Sequence, residues 1–165
     1  RDLSSEIQGF VADLPPRAHG ARFQALLHGY RRWALKHPQD YILIHGAVLP
    51  GYEAPVDQVA LAAFGGLQLF VQVLAEADED GQLRIPSAYR EPPARVQEAL
   101  EALRAAFPGQ AVRADLLTLA FTTWLQLHGL VWQEIAGHLP SFLFDDGGLF
   151  HLELQAISER LGLAA

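Results

Sequence analysis

Ala111 to Leu139, AVRADLLTLAFTTWLQLHGLVWQEIAGHL, is the stretch whose reading decides the fold. It carries about 27 helical residues before Gly137 and Pro140, roughly 40 Å at 1.5 Å per residue. Projected at about 100° per residue, its polar side chains Asp115, Thr122, Gln126 and Gln133 fall on one thin stripe. Opposite them stand Leu117, Phe121, Trp124, His128, Val131 and Ile135. Leu116, Ala120 and Leu127 flank that row on one side, Leu125 and Trp132 on the other. A helix apolar over most of its circumference must be covered from several directions. The pattern predicts a central helix, packed inside its own domain and against a second chain.

The segments around it read the same way. Leu3, Ile7, Phe10, Val11 and Leu14 share one helical face, and Pro15-Pro16 stops that helix. From Arg22 to His37 the apolar set is Phe23, Leu26, Leu27, Tyr30, Trp33 and Ala34, closed by Pro38. Arg31, Arg32 and Lys36 near its end complement the helix dipole. Tyr41 to His45 predicts about one and a half helical turns, and 46–55, with two Gly and two Pro, reads as loop. Val56 to Ala77 is a second long helix, in which Gly65-Gly66 marks a weak point or a close approach. Residues 76–80 read as a solvated acidic helix end, lacking the spacing of a calcium loop, and 81–91 as irregular. Pro92-Pro93 opens a helix with Val96, Leu100, Leu103 and Phe107 inward. After Pro140, Asp145 or Asp146 is placed to cap a last helix. That helix has Phe150, Leu154, Ile157 and Leu161 on one face, with Leu149 and Leu152 beside it, and stops at Gly162. No strand pattern or repeat appears. The expectation is one all-α domain over residues 1–165, a bundle of about six to seven helices.

Composition narrows the function. Half of the 165 residues are hydrophobic, so a sizeable core is affordable. No apolar run is long enough to span a membrane, and no charged-then-apolar leader opens the chain. With no cysteine there is no disulfide framework and no thiolate metal or redox site, which fits a cytoplasmic protein. There is no methionine and the chain begins at Arg1, so an N-terminal part is expected outside it. The net charge is −7, with twelve Lys and Arg and no basic cluster. Affinity for DNA is drawn largely from such cations at phosphates, so these residues are not expected to bind it alone.

Catalysis has no foothold. There is no nucleophile elbow, the serines lack an activating context, and Asp145-Asp146 reads as a helix start rather than an acid–base pair. None of the seven histidines form the i, i+4 pair of a helical zinc site; His37 reads as a helix end and His19, beside Gly20, as loop. Neither a metal nor a cofactor is expected.

The most specific local pattern is Trp124-x-x-x-His128-Gly129. Trp124 and His128 are four apart and share a face. Gly129 costs a helix roughly 1 kcal/mol relative to alanine, which suggests a packing or ligand reason. The pattern resembles the Trp-His-Gly motif in the C-terminal domains of one branch of the TetR-like transcriptional regulators. A second passage, Tyr30 to Pro38 followed by Asp40-Tyr41, is similar to that with which such regulators leave the first helix of their ligand-binding domain. With the order of helices, the resemblance covers nearly the whole chain. It implies a ligand-binding and dimerisation domain. Residues 1–14 would be the remnant of a helix connecting it to an N-terminal helix-turn-helix, the part through which DNA is bound.

Apolar walls with sparse polar anchors are what a cavity between helices needs. Trp124, Phe121, Tyr30, Tyr41 and Phe70 with His128, His45 and Thr123 are the candidates for a small apolar effector. The alternative is that these aromatics fill the core and His128 bonds a carbonyl, as in a structural helical interaction domain with no effector. For a homodimer interface, two helices from each chain would make a four-helix contact, drawing on Leu116, Leu125, Trp132, Leu149, Leu152 and Glu153.

Overall fold

A computed structural model describes residues 3–45, 56–104, 112–138, 140 and 147–164; of these, the side chains of 56–64, 102 and 103 stay outside the description. Among the described residues there are eight helices and no strand: α1 (Leu3–Ala12), α2 (His19–Lys36), α3 (Pro38–His45), α4 (Val56–Glu79), α5 (Ser87–Arg90), α6 (Ala94–Arg104), α7 (Ala114–Ala136) and α8 (Gly148–Leu161). None of them is long and apolar enough to cross a membrane.

Local chemistry sets the boundaries. α2 ends at His37, whose φ of −125° and ψ of 57° are not helical. A residue before proline is pushed out of the α region. Pro38 then occupies the first turn of α3, where its missing N–H costs nothing. α7 closes on Gly137 at φ 66°, whose N–H reaches back to the carbonyls of Gln133 and Glu134. α8 closes the same way on Gly162.

α7 is the hub. It meets α2, α4, α5, α6 and α8, while α1 lies across α2 and α4. Its buried side is turned toward the Leu116, Ala120 and Leu127 flank. Those three are enclosed with Leu117, Trp124 and Val131, whereas Phe121, His128 and Ile135 are only half-buried. On α8, Phe150, Leu154, Ile157 and Leu161 are buried as the spacing predicts.

Four expectations are corrected. The segment read as irregular contains a short helix, α5, started after Pro86. Val96 is exposed, so of the four residues expected inward on α6 only Leu100 is seen buried; the Leu103 side chain and Phe107 lie outside the described residues. His19 is not in a loop but opens α2, buried, with Nε2 2.8 Å from Asp80 Oδ2. The acidic end of α4 is paired rather than merely solvated: Glu76 with Arg22, Asp78 with Arg113, and Asp80 with His19 and Arg17. The loop expected at 46–55 and the caps expected at Asp145 or Asp146 lie outside the described residues.

Candidate ligand site and interface

Four helices bring the aromatic candidates together. Tyr30 comes from α2, Tyr41 and His45 from α3, Phe70 from α4, and Trp124 and His128 from α7. The rings run in contact from Phe23 to Phe70 (5.5 Å between centroids), Phe70 to Trp124 (5.8 Å) and Trp124 to Tyr30 (4.6 Å). At the far end Tyr41 stacks on His128 at 5.4 Å, and His45 stands edge-on to His128 at 4.6 Å. Trp132, expected at the interface, reaches this cluster too, its ring 6.1 Å from Tyr41.

The polar atoms converge on one nitrogen. Tyr30 Oη lies 2.6 Å and Tyr41 Oη 2.9 Å from His128 Nδ1, and Tyr41 Oη is also 3.3 Å from the His128 carbonyl. Burial raises both phenols above their ordinary range and lowers the His128 imidazole. The phenols therefore keep their protons and the imidazole is neutral. Nδ1 then accepts, the proton sits on Nε2, and the second hydroxyl has the carbonyl to donate to.

His45 is different. Its Nε2 is buried and unpartnered, and burial, with His128 beside it, pushes its pKa down to about 3. A buried polar atom without a partner costs about 1–3 kcal/mol, which a ligand donor would recover. Thr123 Oγ1 is likewise buried and unpartnered, while Phe121 packs half-buried at the edge of the core. Gly66 was legible only as a close-approach site in the sequence. A methyl there would stand 2.8 Å from Trp124 Cη2 and 3.8 Å from Leu3 Cδ2 of α1.

A pH prediction follows. The folded pKa of His45 lies below its unfolded value, so its contribution is complete above about pH 6.5 and is lost as pH falls toward 3. Stability should drop by up to about 1.4 kcal/mol per pH unit between pH 6 and 4 from this group alone. Urea unfolding of the parent and of His45→Gln across that range should show a shallower slope in the variant.

The interface candidates separate. Leu125 and Leu152 are 49 % and 64 % exposed, and Gln126 of α7 bonds Glu153 of α8 between them. Trp132 and Leu149 are half-buried. Leu116 is 2 % exposed and has almost no surface to offer a second chain. Among the described residues Gly129 has nothing within 4 Å of the position a Cβ would take, so none of them uses its close approach.

Residues 23–157 match a family described as "Tetracyclin repressor-like, C-terminal domain". The HTH-type transcriptional regulators Mb1846 of Mycobacterium bovis and Rv1816 of Mycobacterium tuberculosis are each 26 % identical over 127 residues, 76 % of this chain. The chain spans 52 % of their length, about half. A crystal structure of SCO4313, a protein assigned as regulatory, is 27 % identical and superposes with a TM-score of 0.57 over 94 % of this chain and 69 % of that one. These are regulators rather than enzymes. With a match over most of its length and an all-helical fold built on α7, the chain belongs to the TetR-like transcriptional regulators, as a C-terminal domain.

Proposed function

We propose that the chain is the effector-sensing and dimerisation domain of a cytoplasmic regulator, one domain over residues 1–165, and that DNA is read by an N-terminal helix-turn-helix outside it. The observation that carries the effector site is the unpartnered, buried His45 Nε2 beside the Tyr30, Tyr41 and His128 polar atoms, all within aromatic walls. A small apolar molecule with one donor group fits that chemistry. It would act by binding one arrangement of the subunits better than the other. Trp124 lies under Gly66, and Gly66 lies against Leu3, so a shift of the indole would be felt by α1.

The dimer surface in this proposal is the ridge of Leu125, Gly129 and Trp132 on α7 with Leu149, Leu152 and Glu153 on α8, paired with its own copy. The second reading, a structural domain without effector, is favoured by one observation: the Tyr30 and Tyr41 hydroxyls already find acceptors in His128 Nδ1 and the His128 carbonyl.

Light scattering across a dilution series is the test. Twice the 18.1 kDa chain mass is expected, falling to one chain in Leu152→Glu. A monomer at every concentration would overturn the surface and put the structural domain ahead. A small molecule extracted from natively purified protein, and lost in His128→Leu, is expected for the effector; a bound ligand lying away from Trp124 and His128 would sink that assignment.

A further inference from the structure

α2 has a second functional-looking face. At about 100° per residue, His28, Arg32, Leu35 and Lys36 project roughly opposite Tyr30, away from the aromatic cluster. Between them and Phe10 of α1 runs a groove of about 610 Å³, within the range of small-molecule sites. Gly29 lets the Phe10 ring close on α2, because a Cβ there would meet that ring. The Arg32 guanidinium lies 3.8 Å from the centre of that ring.

The charge of the groove runs against the rest of the molecule. Arg31, Arg32 and Lys36 line it, with His28 beside them, and among the described residues no acidic one does, in a chain of net charge −7. Two of these cations are committed elsewhere, Arg31 to Glu134 and Lys36 to Glu6 at 3.5 Å. Arg32 has no carboxylate within ion-pair distance among the described residues. Stacking on Phe10 fixes the plane of its guanidinium and leaves the N–H edge free for a bidentate oxygen acceptor. Phe10, Ala25 and Leu35 supply apolar wall beside it.

We propose that the α1–α2 groove binds a small amphiphilic organic anion, its carboxylate on Arg32 and its hydrocarbon body along Phe10 and Leu35. A phosphate backbone fits less well, since tracking it takes a row of cations and this chain offers one short cluster. An occupant would bridge α1 to α2, and so hold α1 from the side opposite the aromatic site. The two sites are separate inputs to the same helix.

Isothermal titration of the chain with decanoate, below its micellar concentration, tests this, with methyl decanoate, which has neither charge nor hydrogen-bond donor, as the control. One saturable site per chain is expected, with methyl decanoate at least tenfold weaker. Arg32→Gln should weaken decanoate at least tenfold with unchanged circular dichroism, and Arg32→Lys, which keeps the charge without the fork, should fall between. His128→Leu should bind decanoate like the parent. Equal binding of methyl decanoate, unchanged binding by Arg32→Gln, or loss in His128→Leu instead would each overturn the groove as the site. A mixed-sequence DNA duplex that binds through Arg32 where decanoate does not would overturn the ligand class in favour of nucleic acid.

Discussion

Glu134→Ala is expected to lower the unfolding free energy by about 3 kcal/mol. Arg31 donates from Nε to both oxygens of Glu134, at 3.1 and 2.9 Å, and from Nη2 at 2.8 Å. The side chains are only 16 % and 8 % exposed. The guanidinium also lies 5.6 Å from the centre of the Phe150 ring and against Gly147, where no Cβ would fit. One cation thus joins α2, α7 and α8. Removing the carboxylate leaves the charge largely dewatered, which costs 3–5 kcal/mol in fully buried pairs; the residual exposure of Arg31 puts this one at the low end. Replacing both partners, as Arg31→Met with Glu134→Leu, should restore most of the loss, because no orphaned charge remains. Urea unfolding at one fixed protein concentration measures both. A loss below about 1 kcal/mol would mean that the pair behaves as a solvated surface bridge.

Neither this clasp nor the shared nitrogen of the aromatic site was legible in the sequence. Arg31 and Glu134 are 103 residues apart, and Tyr30 and His128 are 98. Periodicity assigns a residue to a face but does not say which face of which other helix meets it. What it did carry was the hub: the nearly continuous apolar girth of α7 required cover from several sides, and five helices supply it. It misjudged how far the buried side is rotated, putting Phe121, His128 and Ile135 at its centre although all three are half-buried while Leu127 beside them is 1 % exposed. His19 was misread for a local reason. A glycine neighbour suggests a loop, but Gly20 lies in α2 and its missing Cβ admits the Leu163 carbonyl, which would stand 2.6 Å from such an atom. The Trp124-His128-Gly129 spacing put Trp124 and His128 on one helix, α7; the close contact of Trp124 came from Gly66, 58 residues earlier in the chain.

Gly66→Val should cost about 3 kcal/mol, and Gly129→Ala should stabilise the single subunit by about 0.5–1 kcal/mol. Both glycines sit inside long helices, and both would gain from alanine on helix propensity alone, since Gly is about 1 kcal/mol worse than Ala there. Their surroundings decide the sign. A Cβ on Gly66 meets Trp124 at 2.8 and 3.2 Å. That indole cannot yield, being 5 % exposed and held between Tyr30 and Phe70. Valine adds a Cβ and two methyls to a space that lacks room for the Cβ alone, and overpacking of this kind costs about 1–3 kcal/mol or more. Gly129 faces open space among the described residues, so its methyl meets none of them and is free to meet a second chain. Unfolding at fixed concentration should therefore separate the two variants by about 3–4 kcal/mol. Dilution adds a further distinction: Gly129→Ala should weaken association if that glycine is where the partner helix comes closest, and leave it unchanged if the interface lies elsewhere. Equal stabilities for the two variants would mean that Trp124 has room to move, and the contact from the aromatic site through Gly66 to Leu3 of α1 could not transmit a displacement.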